Sequence, residues 1–266
     1  MKVFVLGHRG MLGHVVARYL KEAGIEVVTS EHRYSALPLD PLIEEVCKSN
    51  CKWVINALGR IKQKSLDRDE LFRANVIFPL HLRARLQPDQ KILHASSDCV
   101  FSGLRGNYQT SEEKDAADLY GFSKILGETA LDYSGTIIMR VSIIGPLYGS
   151  AHGLMSWFLS QHREVSGYVN HYWNGITTLQ WAKFAHDIIT QRLVPSSRVF
   201  QVGTLPPINK YQLLKLIGEV WEHPITIQSV DAPETINRFL IPDLPCPGLL
   251  TQLQELRYWY KLPDHG

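Results

Sequence analysis

The chain has 266 residues, of which 45% are hydrophobic and 20% are charged, and its formal net charge is +2. These proportions are typical of a globular protein with enough apolar residues for a large core. The basic residues are spread along the chain, so no nucleic-acid-binding surface is indicated. No apolar run reaches the roughly 20 residues that a membrane-spanning helix needs. The four cysteines lack metal-binding spacing, so we expect a reduced cytoplasmic protein without a metal site.

The first half of the chain alternates short apolar runs with helical patterns. The predicted strands are, in chain order, residues 2–6, 25–29, 53–56, 91–95 and 136–140. The predicted helices between them are residues 12–24, 41–48, 67–85 with a kink at Pro79, and 120–132. Strands that alternate with helices predict parallel βαβ units. We therefore expect an α/β fold with a doubly wound parallel sheet of the Rossmann type.

The pattern changes beyond Arg140, where glycine and proline become frequent. Helical patterns at 180–191 and 210–221 are separated there by loops. We predict a dinucleotide-binding domain over residues 1–150, to which parts of 176–203 return. A smaller substrate-binding lobe over residues 151–266 would follow it.

A glycine-rich loop, GHRGMLG, follows the first predicted strand and opens the first predicted helix. Glycines permit a tight turn, close approach of the backbone to a pyrophosphate, and close packing of helix on strand. The helix N-terminus adds N–H groups and a positive dipole end. Three glycines often occur by chance in a structural turn, but this position at the first βα turn favours dinucleotide binding. The candidate cofactor-binding residues of the loop are Gly7, Arg9, Gly10, Met11, Leu12 and Gly13.

Charged residues near the second predicted strand bear on which dinucleotide binds. Glu31, just past that strand, would accept a hydrogen bond from the ribose 2′-hydroxyl of NAD. Arg9 in the loop and Arg33 past the strand would instead pair with the 2′-phosphate of NADP. Plain surface charge is the alternative for both arginines. We expect NADP(H), with NAD as a second option.

Tyr120 and Lys124 lie four residues apart in YGFSK, which places both on one face of a helix. A phenol with a pKa near 10 is a poor catalyst at neutral pH, and a neighbouring ammonium favours the phenolate. We therefore expect Lys124 to lower the pKa of Tyr120. Upstream, a predicted strand ends in Ser96 and Ser97, and we choose Ser97 to polarise a substrate carbonyl. A surface helix pair and a turn serine are the alternatives.

These motifs resemble the extended short-chain dehydrogenases, and within them the dTDP-4-dehydrorhamnose reductase group. The resemblance rests on GHRGMLG, INALG, SSDCVFSG and YGFSK with the following LGE, and it covers the first half of the chain well. It implies that Ser97, Tyr120 and Lys124 are catalytic. The implied reaction is hydride transfer from a nicotinamide to a keto group, at C4, of a nucleotide-activated deoxysugar, with Tyr120 as proton donor.

Further roles follow from the same resemblance. It implies that Asn56, Ala57 and Gly59 approach the cofactor and that Asn75 supports the active site. GHRGMLG also resembles the loop of GDP-L-fucose synthase, an NADP-linked relative, which favours NADP(H). The cysteine that serves epimerisation in that enzyme falls opposite Asp98 here, so reduction without epimerisation is favoured.

The substrate side needs cations for a diphosphate and aromatic rings for a sugar or base. Arg60 and Lys62 follow the third predicted strand, at the end where open α/β sheets bind ligands. Trp173 lies in an aromatic segment where relatives line the sugar site, although a packed loop is the alternative. The candidate substrate-binding residues are Arg60, Lys62, Ser97, Tyr120 and Trp173.

Two other functions stay open at this point. A sugar-nucleotide epimerase or epimerase-reductase would carry the same motifs, and so would a non-catalytic regulatory relative. The second is disfavoured because a binding module need not retain the serine, tyrosine and lysine together. The partners we expect are a nucleotide sugar and, as an option, a second copy of the chain.

Overall fold

The computed structural model describes residues 1–61, 67–147 and 153–261. The strands are β1 (Lys2–Leu6), β2 (Glu26–Val28), β3 (Trp53–Asn56), β4 (Lys91–Ala95), β5 (Thr136–Arg140), β6 (Ile143–Ile144), β7 (Val165–Tyr168), β8 (His171–Trp173), β9 (Ile176–Thr177), β10 (Val199–Gln201), β11 (Ile208–Asn209), β12 (Ile227–Val230) and β13 (Ile236–Asn237). The α-helices are α1 (Gly13–Glu22), α2 (Pro41–Lys48), α3 (Arg68–Phe72), α4 (Phe78–Arg85), α5 (Leu119–Ala130), α6 (Leu154–Leu159), α7 (Thr178–Ile189), α8 (Lys210–Trp221) and α9 (Leu249–Lys261).

Among the described residues, the central sheet has six strands in the order β10-β5-β4-β3-β1-β2, and every neighbouring pair is parallel. Successive side chains of β1 enter opposite faces. Val3 and Val5 pack with α1 and α7, whereas Phe4 and Leu6 pack with α2 and α4. Both faces of the parallel sheet are thus covered by helices. The predicted doubly wound α/β fold is confirmed.

The predicted helix over residues 67–85 is divided in the structure. A π-helical segment, Arg73–Ile77, separates α3 from α4, and Pro79 lies in the first turn of α4. Proline has no N–H to bond the carbonyl four residues earlier, which here is that of Asn75, so regular α-helical bonding is interrupted there. The irregularity expected at Pro79 is present as the π-helical segment that precedes it.

The second half of the chain builds smaller sheets around this core. One has the order β11-β8-β13, and two further pairs are β12 with β7 and β6 with β9. Strand β10 joins the edge of the central sheet beside β5. The division into domains near residue 150 stays a prediction. Within the described ranges, no helix is long and apolar enough to cross a bilayer.

Candidate active site

A cleft of about 440 Å³ opens at the carboxyl ends of the central strands. Its walls come from the loops that follow β1, β3, β4 and β5, from the start of α5, and from β8, α8 and β13. Ligands bind at this end of open α/β sheets because the carboxyl ends of parallel strands meet there. The cleft therefore lies where the fold class favours a ligand.

The glycine loop forms one end of the cleft, which Gly10, Met11 and Leu12 line. Helix α1 starts at Gly13, where a Cβ atom would lie 2.1 Å from the carbonyl oxygen of Gly7, so only glycine allows this packing. Among the described residues, the backbone N–H groups of Met11, Leu12 and Gly13 donate to no acceptor. Unbonded N–H groups at a helix N-terminus suit a pyrophosphate, so the loop fits a dinucleotide.

The charged residues near the loop are partly engaged with each other. Arg9 donates to the carboxylate of Glu31, and both side chains are exposed. His8 Nε2 lies 3.9 Å from the same carboxylate. Burial lowers the pKa of this histidine, and the positive charge of Arg9 has a smaller effect in the same direction. Arg33 is exposed, beyond β2. Arg9 and Glu31 are thus paired beside the glycine loop, while Arg9 and Arg33 are not among the residues that line the cleft.

The end of β3 supplies a second stretch of wall. Ala57 and Gly59 line the cleft, as expected from the resemblance. Asn56 is fully buried instead: its Nδ2 donates to Nδ1 of His94 at 3.1 Å, and its Oδ1 accepts from the N–H of Leu58 at 3.2 Å. Asn56 therefore shapes the turn from behind the wall, which corrects the expectation that it approaches the cofactor.

Asn75 ties the loop after β3 to α5. Its Oδ1 accepts from the N–H of Arg60 at 2.9 Å, and its Nδ2 donates to the carbonyl of Arg60 and to Ser123 Oγ, at 3.0 and 2.9 Å. The Arg60 side chain lines the cleft and lies 3.1 Å from the carboxylate of Glu70. The candidate Lys62 lies outside the described residues.

The start of α5 places Tyr120 in the cleft. Asp118 caps this helix by accepting a hydrogen bond from the N–H of Gly121 at 2.8 Å. A Cβ atom at Gly121 would lie 2.1 Å from the carbonyl oxygen of Cys99, so glycine lets the helix start lie directly on the loop after β4. Because of this contact, Tyr120 lies near Ser97, whose hydroxyl acts on the pKa of the phenol. Lys124 follows one turn later and also lines the cleft.

The electrostatics of the tyrosine and lysine differ from the expectation. Burial, with a smaller effect of Cys99, raises the pKa of Tyr120, and the nearby Ser97 hydroxyl acts in the opposite direction. The predicted lowering of the Tyr120 pKa by Lys124 is therefore wrong. Lys124 Nζ donates to the carbonyl of Ala95 at 2.8 Å, and burial lowers its pKa to about 8. A buried phenol of this kind stays protonated at neutral pH, which suits a proton donor.

The two serines after β4 have different partners. Ser96 Oγ donates to Glu128 Oε1 at 2.5 Å, which engages its proton. Ser97 Oγ likewise donates to a carboxylate, Asp98 Oδ1, at 3.0 Å, and it accepts from the N–H of Cys99 at 3.1 Å. Both residues line the cleft, but Ser97 is the one whose hydroxyl acts on the pKa of Tyr120. The choice of Ser97 over Ser96 stays a prediction, favoured by the proximity of Ser97 to Tyr120.

The opposite wall contains two cations that the sequence reasoning missed. Trp173 is buried there and donates from Nε1 to Ser142 Oγ at 2.8 Å. Lys210 Nζ lies 5.6 Å from the centre of the Trp173 ring, and burial lowers the pKa of this lysine. Arg238 donates to the carbonyls of Phe101 and Ser102, both at 3.0 Å. One signal was available: Lys210 follows an N-cap residue, where a cation opposes the helix dipole.

Comparisons with known proteins place the chain in a family. The model of the RmlD substrate binding domain matches residues 1–165. Among solved structures, the chain is similar to dTDP-4-dehydrorhamnose reductase from Bacillus anthracis in complex with NADP, at 17% identity over 97% of this chain and 99% of that one, with a TM-score of 0.83. The same enzyme from Clostridium acetobutylicum is 16% identical over 98% of this chain and 100% of that one, with a TM-score of 0.82.

Enzymes of other activities share the architecture. The dTDP-glucose 4,6-dehydratase of Bacillus anthracis, in complex with NAD, is 15% identical over 98% of this chain and 96% of that one, with a TM-score of 0.76. At such identities the structural likeness shows the fold alone. No curated protein sequence matches the chain significantly. The family match, however, spans more than half of the residues. The chain therefore belongs to the RmlD substrate binding domain family.

Proposed function

We propose that the chain reduces a keto group, at C4, of a nucleotide-activated deoxysugar, with NADPH as hydride donor and Tyr120 as proton donor. The observation that carries the proposal is the single cleft that the glycine loop shares with Ser97, Tyr120 and Lys124. The family match and the NADP complex of the similar Bacillus anthracis enzyme support the same reaction class.

Each of the three side chains then has a defined task. A bound nicotinamide dinucleotide supplies the hydride that adds to the carbonyl carbon. The Ser97 hydroxyl donates a hydrogen bond to the carbonyl oxygen and polarises it. Tyr120 transfers its phenol proton to that oxygen as negative charge develops there, because its raised pKa keeps the proton in place beforehand. Lys124, with a pKa of about 8, stabilises the resulting phenolate.

The cations of the opposite wall fit the diphosphate of such a substrate. Among the described residues, neither Lys210 nor Arg238 has a carboxylate within ion-pair distance. An unpaired cation in a partly buried wall is stabilised by an anionic ligand. We assign the diphosphate to these two residues and the apolar face of the sugar to Trp173.

The experiment that tests the proposal is a turnover assay with NADPH and a nucleoside-diphosphate 4-keto-6-deoxysugar. We expect NADPH to be oxidised in step with product, and the product mass to rise by that of two hydrogen atoms. An isomerised sugar without loss of NADPH would instead indicate an epimerase. Tight NADPH binding without conversion of any such sugar would indicate a regulatory protein.

Cofactor preference should depend on the contact between Arg9 and Glu31. The Glu31 carboxylate repels a 2′-phosphate and engages Arg9, so E31Q should lower KM for NADPH about fivefold, as expected for about 1 kcal/mol. R9Q should raise the same constant by a similar factor. The check is KM for NADPH and for NADH in wild type and both variants. An E31Q enzyme with an unchanged ratio of the two constants would contradict this assignment.

A further inference from the structure

A buried carboxylate lies one helical turn beyond Lys124. Glu128 is 3% exposed, and its two oxygens accept from Arg140 Nε at 2.9 Å and Nη2 at 2.8 Å. Lys114 Nζ lies 3.3 Å from Oε2, and Ser96 Oγ donates to Oε1 at 2.5 Å. Arg140 is itself 4% exposed on β5. Glu128 is thus held by partners from a strand, a loop and the end of β4.

These contacts form a regular series between α5 and the end of β4. Residues four apart share one face of a helix, so Glu128 continues the face of Tyr120 and Lys124. Lys124 donates to the carbonyl of Ala95, Glu128 accepts from Ser96, and Tyr120 lies near enough to Ser97 for that hydroxyl to act on its pKa. Three consecutive residues of the strand end therefore each lie beside one residue of a single helix face, and two of them are held by hydrogen bonds.

Stability alone explains this arrangement poorly. Removing two charges from water is costly, and well-packed apolar residues often stabilise a core as well as a buried ion pair does. An ion pair does, however, fix the direction and separation of its partners, because bidentate Arg–carboxylate bonding allows only a narrow geometry. Here the fixed groups are immediate neighbours of the residues that line the cleft.

We propose that Glu128 is a positioning residue, whose bonds to Arg140 and Ser96 hold the helix face of Tyr120 and Lys124 in register with the strand end that carries Ser97. The proposal rests on the proposed function, because it assigns Glu128 a task in that reaction. Glu128 acts through Ser96 and Lys124 and need not touch substrate.

The charge of Glu128 gives the proposal an independent readout. Burial lowers the pKa of Lys124 to about 8, while Glu128 on the same helix and Cys99 on the loop after β4 act to raise it. His94 of β4 also interacts with Lys124, but it is buried with its pKa well below the usual value and is therefore neutral, and the phenol of Tyr120 on the same helix face is neutral too because burial raises its pKa. Removing the Glu128 charge should thus lower the Lys124 pKa further. The ammonium would be lost at a lower pH.

The test combines an isosteric charge variant with a variant of the hydroxyl contact. Reductive methylation of Lys124 in the free protein, followed by peptide mass, gives the pH midpoint at which this lysine loses its proton. In E128Q we expect this midpoint to lie about one unit lower than in wild type. Turnover of E128Q should fall about tenfold to a hundredfold, as expected for small misplacements of catalytic groups. The alkaline limb of its pH–rate profile should also move to lower pH. In S96A, kcat should fall while the methylation midpoint stays in place.

A matched control uses a surface ion pair far from the cleft. Glu44 of α2 pairs with Arg85 and Lys48, so E44Q removes a carboxylate from an arginine without touching the cleft. E44Q should change neither the pH midpoint of Lys124 methylation nor kcat. A Lys124 midpoint in E128Q equal to that of wild type, or full kcat in S96A, would overturn the proposal.

The outcomes also separate this proposal from the proposed function. Should E128Q fail to fold, R140K provides a second variant, because it keeps both charges but loses the bidentate geometry. R140K should lower kcat with little change in the pH midpoint of Lys124 methylation. Full kcat in R140K would count against positioning by Glu128. Wild-type protein that turns over no keto sugar would refute the proposed function. The methylation midpoints would still report whether Glu128 controls Lys124.

Discussion

Y120F should lower kcat for keto-sugar reduction about a thousandfold, within the range that general acid catalysis contributes. The variant loses the phenol that lines the cleft near Ser97, and Phe has no proton to donate. Binding of NADPH should change little, because the glycine loop that we assign to the pyrophosphate is untouched. The measurements are NADPH oxidation under saturating substrate and a fluorescence titration of NADPH with each protein.

The control for this experiment is the same substitution at a remote site. Tyr258 lies on α9 with 67% of its surface exposed, so Y258F should retain wild-type kcat and NADPH affinity. Turnover in Y120F within a few-fold of wild type would remove Tyr120 from the role of proton donor. A large loss of NADPH binding in Y120F would instead show that the residue mainly holds the cofactor.

The four inner strands of the central sheet were predictable because they are buried on both faces, whereas the edge strand β10 was not predicted. Such strands appear in the sequence as continuous apolar runs between turn residues, and β1, β3, β4 and β5 have the predicted bounds. The division of residues 67–85 into α3, a π-helical segment and α4 was harder to predict from the sequence. The π-helical segment is only five residues long and lies inside an otherwise helical pattern, so only Pro79 indicated an irregularity there.

Residue types and their spacing predicted which side chains share a helix face in the candidate site, but not their pKa values. Tyr120 and Lys124 are on one helix face because they are four residues apart, whatever surrounds them. Their pKa values depend on burial, which arises from packing of α5 on the loop after β4 and cannot be inferred from spacing. For this reason the expected direction for Tyr120 was wrong, while its location beside Ser97 follows the prediction.

The opposite wall was missed because no local motif encodes it. Trp173, Lys210 and Arg238 come from β8, the start of α8 and the end of β13, far apart in sequence. They meet because β11 and β13 both pair with β8. Sequence patterns indicate which residues share one element, but these contacts between short strands depend on tertiary packing.

Removing both cations of this wall should raise KM for the nucleotide sugar about a hundredfold while leaving kcat nearly unchanged. A hydrogen bond to a charged group contributes about 1.5–3 kcal/mol, which is about tenfold or more for each residue in K210M/R238M. Because the diphosphate is not altered in the reaction, its contacts should strengthen ground-state and transition-state binding alike. The inhibition constant of the free nucleoside diphosphate should rise by the same factor as KM.

Lys215 provides the matched control, since it is an exposed lysine on the same helix, α8, and K215M removes the same charge outside the cleft. KM and the inhibition constant should stay at their wild-type values in this variant. If K210M/R238M kept wild-type KM, the diphosphate would lie elsewhere, and Arg60 on the facing wall would become the next candidate. If kcat fell as steeply as KM rose, the two cations would act on the reacting sugar itself. Unchanged kcat with a raised KM would place the diphosphate between Lys210 and Arg238 and the keto group toward Tyr120.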